Sequence, residues 1–521
     1  MPTASAGAQD AVVAFLADPG THAGAEVTRI ETHGNLIFLA GAEAWKIKRA
    51  VQFPYMDFST LERRHQACLA ELETNRRFAQ DLYLDVTAIT RGADGRLAFG
   101  GAGTPVEWAV HMRRFGQGDL LSSHAEAGTL TDSLAKAVAD RVLESHAQAA
   151  VVEGADGHGR VLRVLTPLIT TLSQTALDAE AVAAWAAAAR ETLERHRTLL
   201  DARAAAGCVR HCHGDLHAAN IVLWRGRPML YDAIEFDPEI ARIDTIYDLA
   251  FLLMDLGMRG SPRAANVILN RVLWRARSDD ALDGLAVLPL FMSLRAAIRA
   301  IVTAERAAQE AGSSHNDDQA KATSLLAHAR TLLSPPSARL IAVAGLSGTG
   351  KSTLASALAP HLGGPPGAVH VRTDLVRKAL AGVDETERLP PSSYTPETSR
   401  AVYTECLRQA TRALDAGATV ILDAVAAHAP EREAIAAVAK NRGLRFDGLW
   451  LTGPADVLAA RVAARRGDAS DATVDVVEAQ AAWDVGSLAA DWRPIDAAGP
   501  AAMTYTRAAQ ALGLRPPSHI P

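Results

Sequence analysis

The sequence predicts a multidomain α/β protein in which a domain with a small β-rich lobe and a helical lobe precedes a parallel α/β domain. Three observations support this organisation. Short apolar runs separated by turn residues fill the first 115 residues, and Ala- and Leu-rich segments with helical spacing continue to about residue 332. Two consecutive prolines interrupt the chain at 333–337, and strand-like runs alternate with helical patterns from 338 to 521. A length of 521 residues also exceeds what one hydrophobic core holds, so several compact parts are expected.

The first lobe, about residues 1–115, is expected to contain an antiparallel sheet and one long helix. Gly34, Asn35 and Gly41 mark turns between its first strands, and Ser59 or Thr60 is suited to cap a helix that ends near Ala79. The expected strands lie at 27–31, 36–39, 44–48, 84–90 and 106–114.

The second lobe, about residues 116–332, is expected to be helical except for a short hairpin at 221–231. After the linker at 333–337, the domain at 338–521 is expected to form a parallel sheet with crossover helices. Its predicted strands lie at 340–344, 369–373, 419–423 and 449–452.

A loop with spaced carboxylate and amide side chains precedes the predicted hairpin. The sequence His-Gly-Asp-Leu-His-Ala-Ala-Asn occupies residues 213–220, and Asp232 follows the second strand of the hairpin. In the Asp-x-x-x-x-Asn pattern of kinases, the Asp accepts or orients the proton of the acceptor hydroxyl and the Asn ligates a metal ion. Asp215 is therefore predicted as a catalytic base, and Asn220 and Asp232 as Mg²⁺ ligands.

A kinase site of this kind also needs a lysine that holds the α- and β-phosphates and a helix glutamate that pairs with it. Lys46 and Lys48 point to the same side of a predicted strand, because side chains two residues apart share a face. Lys48 is favoured, Lys46 is the close alternative, and Glu71 on the following helix is the expected partner. A basic strand end and a solvated glutamate remain the alternative interpretation.

A second nucleotide-binding motif follows the linker. Gly-Leu-Ser-Gly-Thr-Gly-Lys-Ser at 345–352 comes directly after an apolar strand and opens a helix, which is the context that a P-loop requires. Glycines let backbone N–H groups approach phosphates, Lys351 is expected at the β- and γ-oxygens, and Ser352 is expected to ligate Mg²⁺. The predicted nucleotide-binding residues are Gly345, Ser347, Gly348, Thr349, Gly350, Lys351, Ser352 and Thr353.

Charged residues downstream of the P-loop favour a kinase over a switch. Asp374 ends the second predicted strand and is expected to take a proton from an acceptor hydroxyl, while Arg377 can hold an anionic group of the acceptor. Asp423 ends an apolar strand and is expected at the metal ion. Arg461, Arg465 and Arg466 are expected on a late basic helix that could form a lid over the phosphates. A helix N-cap is the alternative for Asp374, and a solvated helix face is the alternative for the arginines.

Residues from about 25 to 330 resemble the aminoglycoside phosphotransferase and choline kinase family, which has His-Gly-Asp in its catalytic loop. The resemblance implies a bilobal protein-kinase-like fold, ATP and Mg²⁺ as cofactors, and the roles given above for Asp215, Asn220 and Asp232. It also implies that Asp244 and Asp248 support the loop. Residues from about 338 to 480 look like small P-loop kinases related to gluconate, adenylylsulfate and polynucleotide kinases and to zeta toxins.

The whole chain resembles bacterial fusions of an aminoglycoside phosphotransferase-like domain with an ATP-binding P-loop NTPase domain, and residues 49–58 and 469–472 also look like stretches of that family. The expected function is therefore ATP-dependent phosphoryl transfer at two sites to hydroxyl groups of small polar molecules. The alternative is a nucleotide-regulated or zeta-toxin-like stress protein in which one site senses ATP or phosphorylates nucleotide sugars.

Composition bounds the partners and the compartment. The net charge of -6 gives no general attraction to nucleic acid or to anionic membranes, and no apolar run reaches the length of a membrane span. Four cysteines do not make a disulfide framework, and the cluster of Cys208, His211, Cys212 and His213 lacks the spacing of a zinc site. A cytoplasmic protein without a nucleic-acid or membrane partner is expected.

Overall fold

The structure, a computed structural model, describes residues 6–53, 56–309 and 313–514. By packing, the chain divides into two compact units. One consists of Met1–Glu153 with Val209–Asp255, and the other of Gly154–Cys208 with Leu256–Pro521. The second unit therefore includes helices that the sequence assigns to the first domain. The domain boundary at 333–337 stays a prediction, and the chain there has no regular secondary structure.

The N-terminal part contains a six-stranded antiparallel sheet with the order β1-β2-β3-β8-β6-β7 and a separate two-stranded pair, β4 with β5. The strands are β1 (Val27–Glu31), β2 (Asn35–Ala40), β3 (Glu43–Lys48), β4 (Gln52–Phe53), β5 (Met56–Asp57), β6 (Tyr83–Arg91), β7 (Leu97–Phe99) and β8 (Thr104–Arg113). All five strands expected in this part are confirmed. The three-residue β7 was not expected, because it is too short to show an alternating pattern.

Two helices cover opposite faces of this sheet. The helices are α1 (Ala6–Ala17) and α2 (Leu61–Ala79). Helix α2 begins where the Thr60 side chain accepts a hydrogen bond from Arg63 N, which confirms the predicted cap. Trp45 and Ile47 of β3 pack with α1, and the alternation of the strand turns Lys46 and Lys48 to the α2 face.

The middle of the chain is mainly helical, as expected. The helices are α3 (Leu121–Glu126), α4 (Asp132–Gln148), α5 (Gly157–Leu172), α6 (Ala179–Arg195), α7 (Arg197–Ala205), α8 (Pro238–Ala241), α9 (Thr245–Met258), α10 (Pro262–Ala276), α11 (Asp279–Asp283), α12 (Leu288–Gln309) and α13 (Ser313–Leu332). The strands are β9 (Val209–His211), β10 (Ile221–Trp224), β11 (Arg227–Leu230) and β12 (Arg242–Asp244). The antiparallel hairpin of β10 and β11 confirms the one expected at 221–231.

The C-terminal part contains a five-stranded sheet with the order β14-β15-β13-β16-β17, and every pair in it is parallel. Its strands are β13 (Arg339–Gly345), β14 (Val369–Arg372), β15 (Val420–Ala424), β16 (Arg445–Thr452) and β17 (Trp492–Asp496). Its helices are α14 (Lys351–Leu358), α15 (Thr373–Ala381), α16 (Pro396–Asp415), α17 (Ala429–Lys440), α18 (Ala455–Ala464), α19 (Val474–Ala481) and α20 (Ala501–Leu512).

The order of this sheet locates its ligand-binding edge. The chain passes from β13 to β14, returns to β15 beside β13, and then crosses to β16 on the other side of β13. In open parallel sheets, ligands bind beyond the carboxyl ends of the strands where the strand order reverses. The P-loop follows β13 at this point. Strand β17 was not predicted, because Pro494 interrupts its pattern, and proline is tolerated there because β17 lies at the sheet edge.

Within the described residues, no single helix is both long and apolar enough to cross a membrane. Two consecutive helical segments, Asp279–Ala286 and Leu288–Ala308, are long and apolar enough only when taken together, and the chain bends by 58° between them.

Candidate functional site

The backbone of the predicted catalytic loop at 213–220 is bound by the buried carboxylate of Asp248, in the first turn of α9. Asp248 accepts hydrogen bonds from the backbone N–H groups of His213 at 3.3 Å and Gly214 at 3.0 Å. His146 Nε2 lies 3.0 Å from the same carboxylate. Gly214 has φ +84, a left-handed conformation that favours glycine. Asp248 therefore fixes the backbone that carries Asp215.

One group in the described part of the chain has the composition of a metal site. His146, Cys212 and Asp248 bring ligand atoms within 4.8 Å of one another. The carboxylate of Asp248 is, however, already bound by two backbone N–H groups of the loop. This arrangement accounts for the cluster as a support of the loop.

Asp215, Asn220 and Asp232 come together where the loop meets the hairpin. Asn220 Nδ2 donates to Asp215 Oδ2 at 2.9 Å and to Asp215 O at 3.0 Å, so its Oδ1 is left for another partner. Tyr231 N donates to Asn220 O at 3.0 Å, which places Asp232 one residue beyond this contact. The Asp215 and Asp232 side chains are 39% and 44% exposed. Two exposed carboxylates beside a buried amide oxygen offer the oxygen ligands that Mg²⁺ prefers.

Asp232 adopts an unusual backbone conformation, with φ +59. Aspartate is one of the few residues other than glycine that tolerate this region. Its N–H faces the hydroxyl of buried Tyr83 at 3.3 Å, and the next N–H, of Ala233, donates to Asn75 Oδ1 at 2.8 Å. Side chains of α2 and β6 thus hold the turn that presents this carboxylate.

Both predicted lysines contact the predicted glutamate. Lys46 Nζ lies 2.8 Å from Glu71 Oε1 and 2.8 Å from Asp232 Oδ1. Lys48 Nζ lies 2.6 Å from Glu71 Oε2 and 2.6 Å from Glu235 Oε1. All the side chains except Asp232 are nearly or fully buried, so the solvated-glutamate alternative is wrong. Lys46 borders the exposed carboxylate of Asp232, and Lys48 lies deeper.

Opposite charges keep this buried cluster ionised. Burial raises the pKa of Glu71, but Lys46 and then Lys48 outweigh burial and lower it to about 2. Burial lowers the pKa of each lysine, yet Asp232 and Glu71 raise that of Lys46, while Glu235 and Glu71 raise that of Lys48. A buried charge is tolerated only with such partners. The cluster is therefore a fixed set of charges beside Asp232.

Glu235 was missed by the sequence analysis. Burial raises its pKa, and the ion pair with Lys48 opposes that shift. The available signal was an acidic residue in the apolar run Ala-Ile-Glu-Phe, three positions after Asp232. An acid in such a run needs a buried partner, and Lys48 is that partner.

In the C-terminal part, the P-loop has the conformation that its glycines permit. Gly345, Gly348 and Gly350 have φ +142, +84 and +86. A Cβ atom on Gly345 would lie 2.6 Å from Leu451 O, and one on Gly348 would lie 2.5 Å from Leu458 O. Only glycine therefore fits at these two positions. The ammonium of Lys351 donates to Leu346 O at 3.1 Å, so it lies over the loop that is expected to hold phosphates.

Ser347, Thr349 and Thr353 have different surroundings in the loop and the first turn of α14. Thr349 is buried and donates to Leu346 O at 2.8 Å, which tightens the loop. Thr353 is exposed and lines the cavity described below. Ser347 N donates to Oε1 of Gln480, a nearly buried residue of α19, at 2.8 Å. Gln480 was not predicted, because a lone glutamine far along the chain carries no motif.

The carboxyl ends of β13, β14 and β15 meet at Asp423. Ser352 Oγ donates to Asp423 Oδ2 at 2.5 Å. His370 Nε2 and Arg372 Nε lie 3.6 and 3.7 Å from the same oxygen. Burial raises the pKa of Asp423, but His370, Arg372 and Lys351 outweigh burial and lower it. A serine hydroxyl beside an ionised carboxylate fits the oxygen ligands that Mg²⁺ prefers.

Asp374 lies within the first turn of α15, and Arg372 occupies the N-cap position, so the alternative of a helix N-cap does not apply to Asp374. Burial and then the charge of Asp423 raise the pKa of Asp374, while Arg372, Lys351 and a hydrogen bond with Ser470 oppose the shift. Arg377 donates to Ser393 O at 2.8 Å and stacks on the Tyr394 ring at 4.8 Å. It therefore lies in the wall beside Asp374.

The late arginines have separate contacts. Arg461 donates to the backbone carbonyls of Ala497 at 2.7 Å and Gly499 at 2.6 Å, beyond the end of β17. Arg465 donates to Ala472 O at 2.8 Å. Burial lowers the pKa of Lys351, and the positive charges of Arg465 and Arg372 add to this lowering. Of the predicted lid residues, Arg461 and Arg465 both line the cavity described below, and Arg466 donates to Ala463 O at 2.9 Å.

A cavity of about 1110 Å³ connects these groups. Its lining includes Gly348, Lys351, Ser352, Thr353, Asp374, Arg377, Arg400, Arg461, Arg465, Gln480 and Trp483. Trp483 is 44% exposed and stacks on His428 with ring centroids 5.9 Å apart. The cavity thus joins the P-loop to a wall with cationic and aromatic side chains.

Comparison with known proteins places the chain among relatives. A family described as AAA domain matches residues 340–484. The uncharacterized protein Rv2004c of Mycobacterium tuberculosis is 32% identical over 487 residues, which are 90% of this chain and 92% of that protein. A choline/ethanolamine kinase family protein from Mesorhizobium loti is 14% identical and covers 63% of this chain and 95% of its own, with a TM-score of 0.40. A sugar kinase from Janibacter sp. HTCC2649 is 23% identical and covers 34% of this chain and 96% of its own, with a TM-score of 0.26.

The expected α/β class is confirmed: a part with an antiparallel sheet and helices precedes a P-loop domain with a parallel sheet. The aminoglycoside and choline phosphotransferase type of the first part stays a prediction. The match to the mycobacterial protein extends over nearly the whole of both chains. The chain therefore belongs to the same family as Rv2004c of Mycobacterium tuberculosis.

Proposed function

We propose that this protein is an ATP-dependent phosphotransferase with two sites, each of which transfers the γ-phosphoryl group to a hydroxyl of a small polar acceptor. One observation supports the proposal: each unit brings a lysine close to carboxylate groups and to a polar side chain, Asn220 in one unit and Ser352 in the other, whose oxygen suits Mg²⁺. Phosphoryl transfer relies on positioning and charge stabilisation, and these are the groups that supply both. The cytoplasm, where ATP is available, is the compartment we expect.

At the kinase-like site, Asp215 is proposed to accept the proton of the acceptor hydroxyl. Its Oδ2 is oriented by Asn220, and its side chain is accessible to a small molecule. Lys46 is proposed to hold the phosphates, because it contacts both Glu71 and the exposed Asp232, whereas Lys48 is enclosed by two buried glutamates. This assignment reverses the preference for Lys48 that the sequence suggested.

At the P-loop site, Lys351 and the loop backbone are proposed to hold the β- and γ-phosphates, and Asp374 to accept the acceptor proton. Arg465 is proposed to act at the phosphates with Lys351, whose pKa it influences. Arg377 and Arg400 line the same cavity, which favours an acceptor with an anionic group.

Mg²⁺ would be held by Asn220 and Asp232 at the first site and by Ser352 and Asp423 at the second. When bound, it neutralises charge on the phosphate oxygens. The residues of the protein are proposed to orient the acceptor hydroxyl, accept its proton and exclude water.

The decisive experiment incubates the full chain with γ-labelled ATP and a metabolite extract and follows the label into small molecules. We expect labelled products whose formation depends separately on Asp215 and on Lys351, tested with Asp215→Ala and Lys351→Ala. Because the exposed residues Asp81 and Lys321 lie outside both sites, Asp81→Ala and Lys321→Ala serve as matched controls. Full labelling by both site variants would contradict the proposal. Growth arrest on expression that Lys351→Ala abolishes would favour the toxin-like alternative.

A further inference from the structure

The outer edge of β14 is covered by α10, a helix that precedes this strand by about a hundred residues in the sequence. Strand β14 is at the edge of the parallel sheet and pairs with β15 only. An edge strand leaves alternate N–H and C=O groups without a partner strand. Here Asn270 of α10 accepts from His370 N at 2.7 Å and donates to Ala368 O at 3.2 Å. One side-chain amide therefore replaces the peptide group of a neighbouring strand.

A second asparagine one helical turn earlier strengthens this contact. Asn266, which is 3% exposed, donates to Ala368 O at 3.0 Å. Asn270 Nδ2 also donates to Asn266 Oδ1 at 3.1 Å, so the two amides orient each other. Buried amides need such partners, because an unsatisfied polar group in the interior costs free energy.

A glycine allows the helix to approach this closely. Gly367 has φ +105, and a Cβ atom there would lie 2.5 Å from Ala359 O and 2.8 Å from Asn266 Nδ2. The close approach of α10 is therefore matched by a residue of the P-loop region. A side chain at position 367 would displace the same amide of Asn266 that donates to Ala368 O.

Further contacts attach α10 and α11 to the segment after α15 and to α16, two helices whose residues line the cavity at the P-loop. Arg271 of α10 lies 3.0 Å from Glu385, beyond the end of α15. Asp279 and Asp283 of α11 pair with Arg408 and Arg412 of α16 at 2.6 and 2.7 Å. Helix α15 carries Asp374 and Arg377 and packs against α16, so these contacts hold the segment after α15 and the helix beside it.

Strand β14 carries two of the side chains next to Asp423, the proposed Mg²⁺ ligand of the P-loop site. It carries His370 and Arg372, which lie 3.6 and 3.7 Å from Asp423, and it leads directly into the turn with Asp374. A displacement of about 1 Å at such groups costs about a hundredfold in rate. Contacts that fix the outer edge of β14 therefore also fix the positions of His370, Arg372 and Asp374.

We propose that Asn266 and Asn270 are positioning residues of the P-loop site, supplied by a helix that the sequence assigns to the preceding domain. The proposal rests on the proposed function for its effect on rate, but its structural part does not. The P-loop kinase of this chain then includes α10 and α11 as structural components.

The test uses the full chain with Asp215→Ala, so that ATP turnover with water as acceptor reports the P-loop site. In this background, the double variant Asn266→Ala/Asn270→Ala is expected to lower the Lys351-dependent rate about tenfold and to raise the Mg²⁺ concentration for half-maximal rate. Hydrogen exchange in β14 is expected to be about tenfold faster in the variant. Asn441→Ala makes the same chemical change at an exposed helix end of the same region and should alter neither quantity.

Conservative variants keep the test informative if the double variant does not fold. Asn270→Asp retains an acceptor for His370 N and should preserve slow exchange of that amide, whereas Asn270→Ala should lose it. Unchanged exchange in Asn270→Ala would overturn the proposal, and so would faster exchange with an unchanged Lys351-dependent rate. If the unsubstituted chain has no Lys351-dependent turnover, the proposed function fails, and the exchange of β14 alone then decides whether the two asparagines hold the strand.

Discussion

At the scale of single residues, two carboxylates of the P-loop site differ in the direction of their pKa shifts. Burial and the nearby charge of Asp423 raise the pKa of Asp374. The pKa of Asp423 is lowered despite burial, because His370, Arg372 and Lys351 favour its charged form. Opposite shifts in one site are the arrangement that separates a proton acceptor from a permanently charged ligand.

The first prediction concerns the pH dependence of this site. A base must be deprotonated to act, so the Lys351-dependent rate should fall as the pH falls through the raised pKa of Asp374. The acid limb should therefore lie above ~3.9, the ordinary value for aspartate. Asp374→Asn should lower the rate by about a hundredfold or more and remove this limb. The measurement is the rate from pH 4 to 9 in the Asp215→Ala background, with nucleotide binding as the control for folding. An unchanged acid limb in Asp374→Asn would exclude Asp374 as the base.

Residue chemistry also explains which parts of the candidate sites could be predicted. Asp215, Asn220, Lys351 and Ser352 belong to motifs with local spacing, and the structure places Asn220 against Asp215, Lys351 over its loop and Ser352 against Asp423. Their roles at phosphates and metal stay predictions. Glu235 and Gln480 have no such spacing, and only the folded chain brings them to Lys48 and Ser347.

At the scale of elements, β3 shows how one strand gives two lysines different environments. Its alternation puts Lys46 and Lys48 on the same face, and Glu71 contacts both. The second acidic partner differs, since Asp232 is 44% exposed and Glu235 is 10% exposed. The strand therefore presents one lysine toward the accessible site and keeps the other in the interior.

The second prediction compares these two lysines. Lys46→Met should raise the KM for ATP of the Asp215-dependent reaction and lower kcat/KM by about a hundredfold. Lys48→Met should chiefly lower the free energy of unfolding, by about 3 kcal/mol, because it leaves Glu235 buried without its cation. Steady-state kinetics and denaturant unfolding measure the two effects, with Lys321→Met as an exposed control. The reverse order of effects would assign the phosphates to Lys48.

Strands differ in how closely their first and last residues follow from the local sequence pattern. Strand β1 has its predicted bounds, β3 begins one residue earlier than predicted, and β2 and β6 extend one residue further at both ends. Strands β7 and β17 were missed, because one has three residues and the other contains a proline. Both lie at sheet edges, where pairing with one neighbour is enough to form a strand and a long apolar pattern is not required.

At the scale of the whole molecule, each unit contains one of the two sets of residues that we propose for phosphoryl transfer. The charges of Lys46, Glu71 and Asp232 lie in one unit, and those of Lys351, Asp374 and Asp423 in the other. Two nucleotides per chain are therefore expected to bind.

The third prediction follows from binding by mass action. Mg²⁺ with ATP should raise the melting temperature of the full chain, because a ligand at 100 times its Kd stabilises the folded state by about 2.7 kcal/mol. Lys351→Ala and Asp232→Asn should each remove part of the shift, and EDTA should remove the metal-dependent part. Thermal melting and a count of bound nucleotides by calorimetry measure this, with Lys321→Ala as the control. Loss of the entire shift in either single variant would mean that only one site binds.

The sequence by itself determined the order of folds along the chain, the P-loop, the catalytic loop and most of the strands that carry them. These features depend on local spacing and alternation, which a linear pattern preserves. Only the tertiary structure decided which lysine borders Asp232, which acid neutralises Lys48, and which helix covers the edge of β14. Those outcomes depend on burial and on hydrogen-bond partners far apart in sequence. A buried charge and the unpaired backbone groups of an edge strand need partners. In this protein those partners are residues that pack beside them in the fold and lie far away in the sequence.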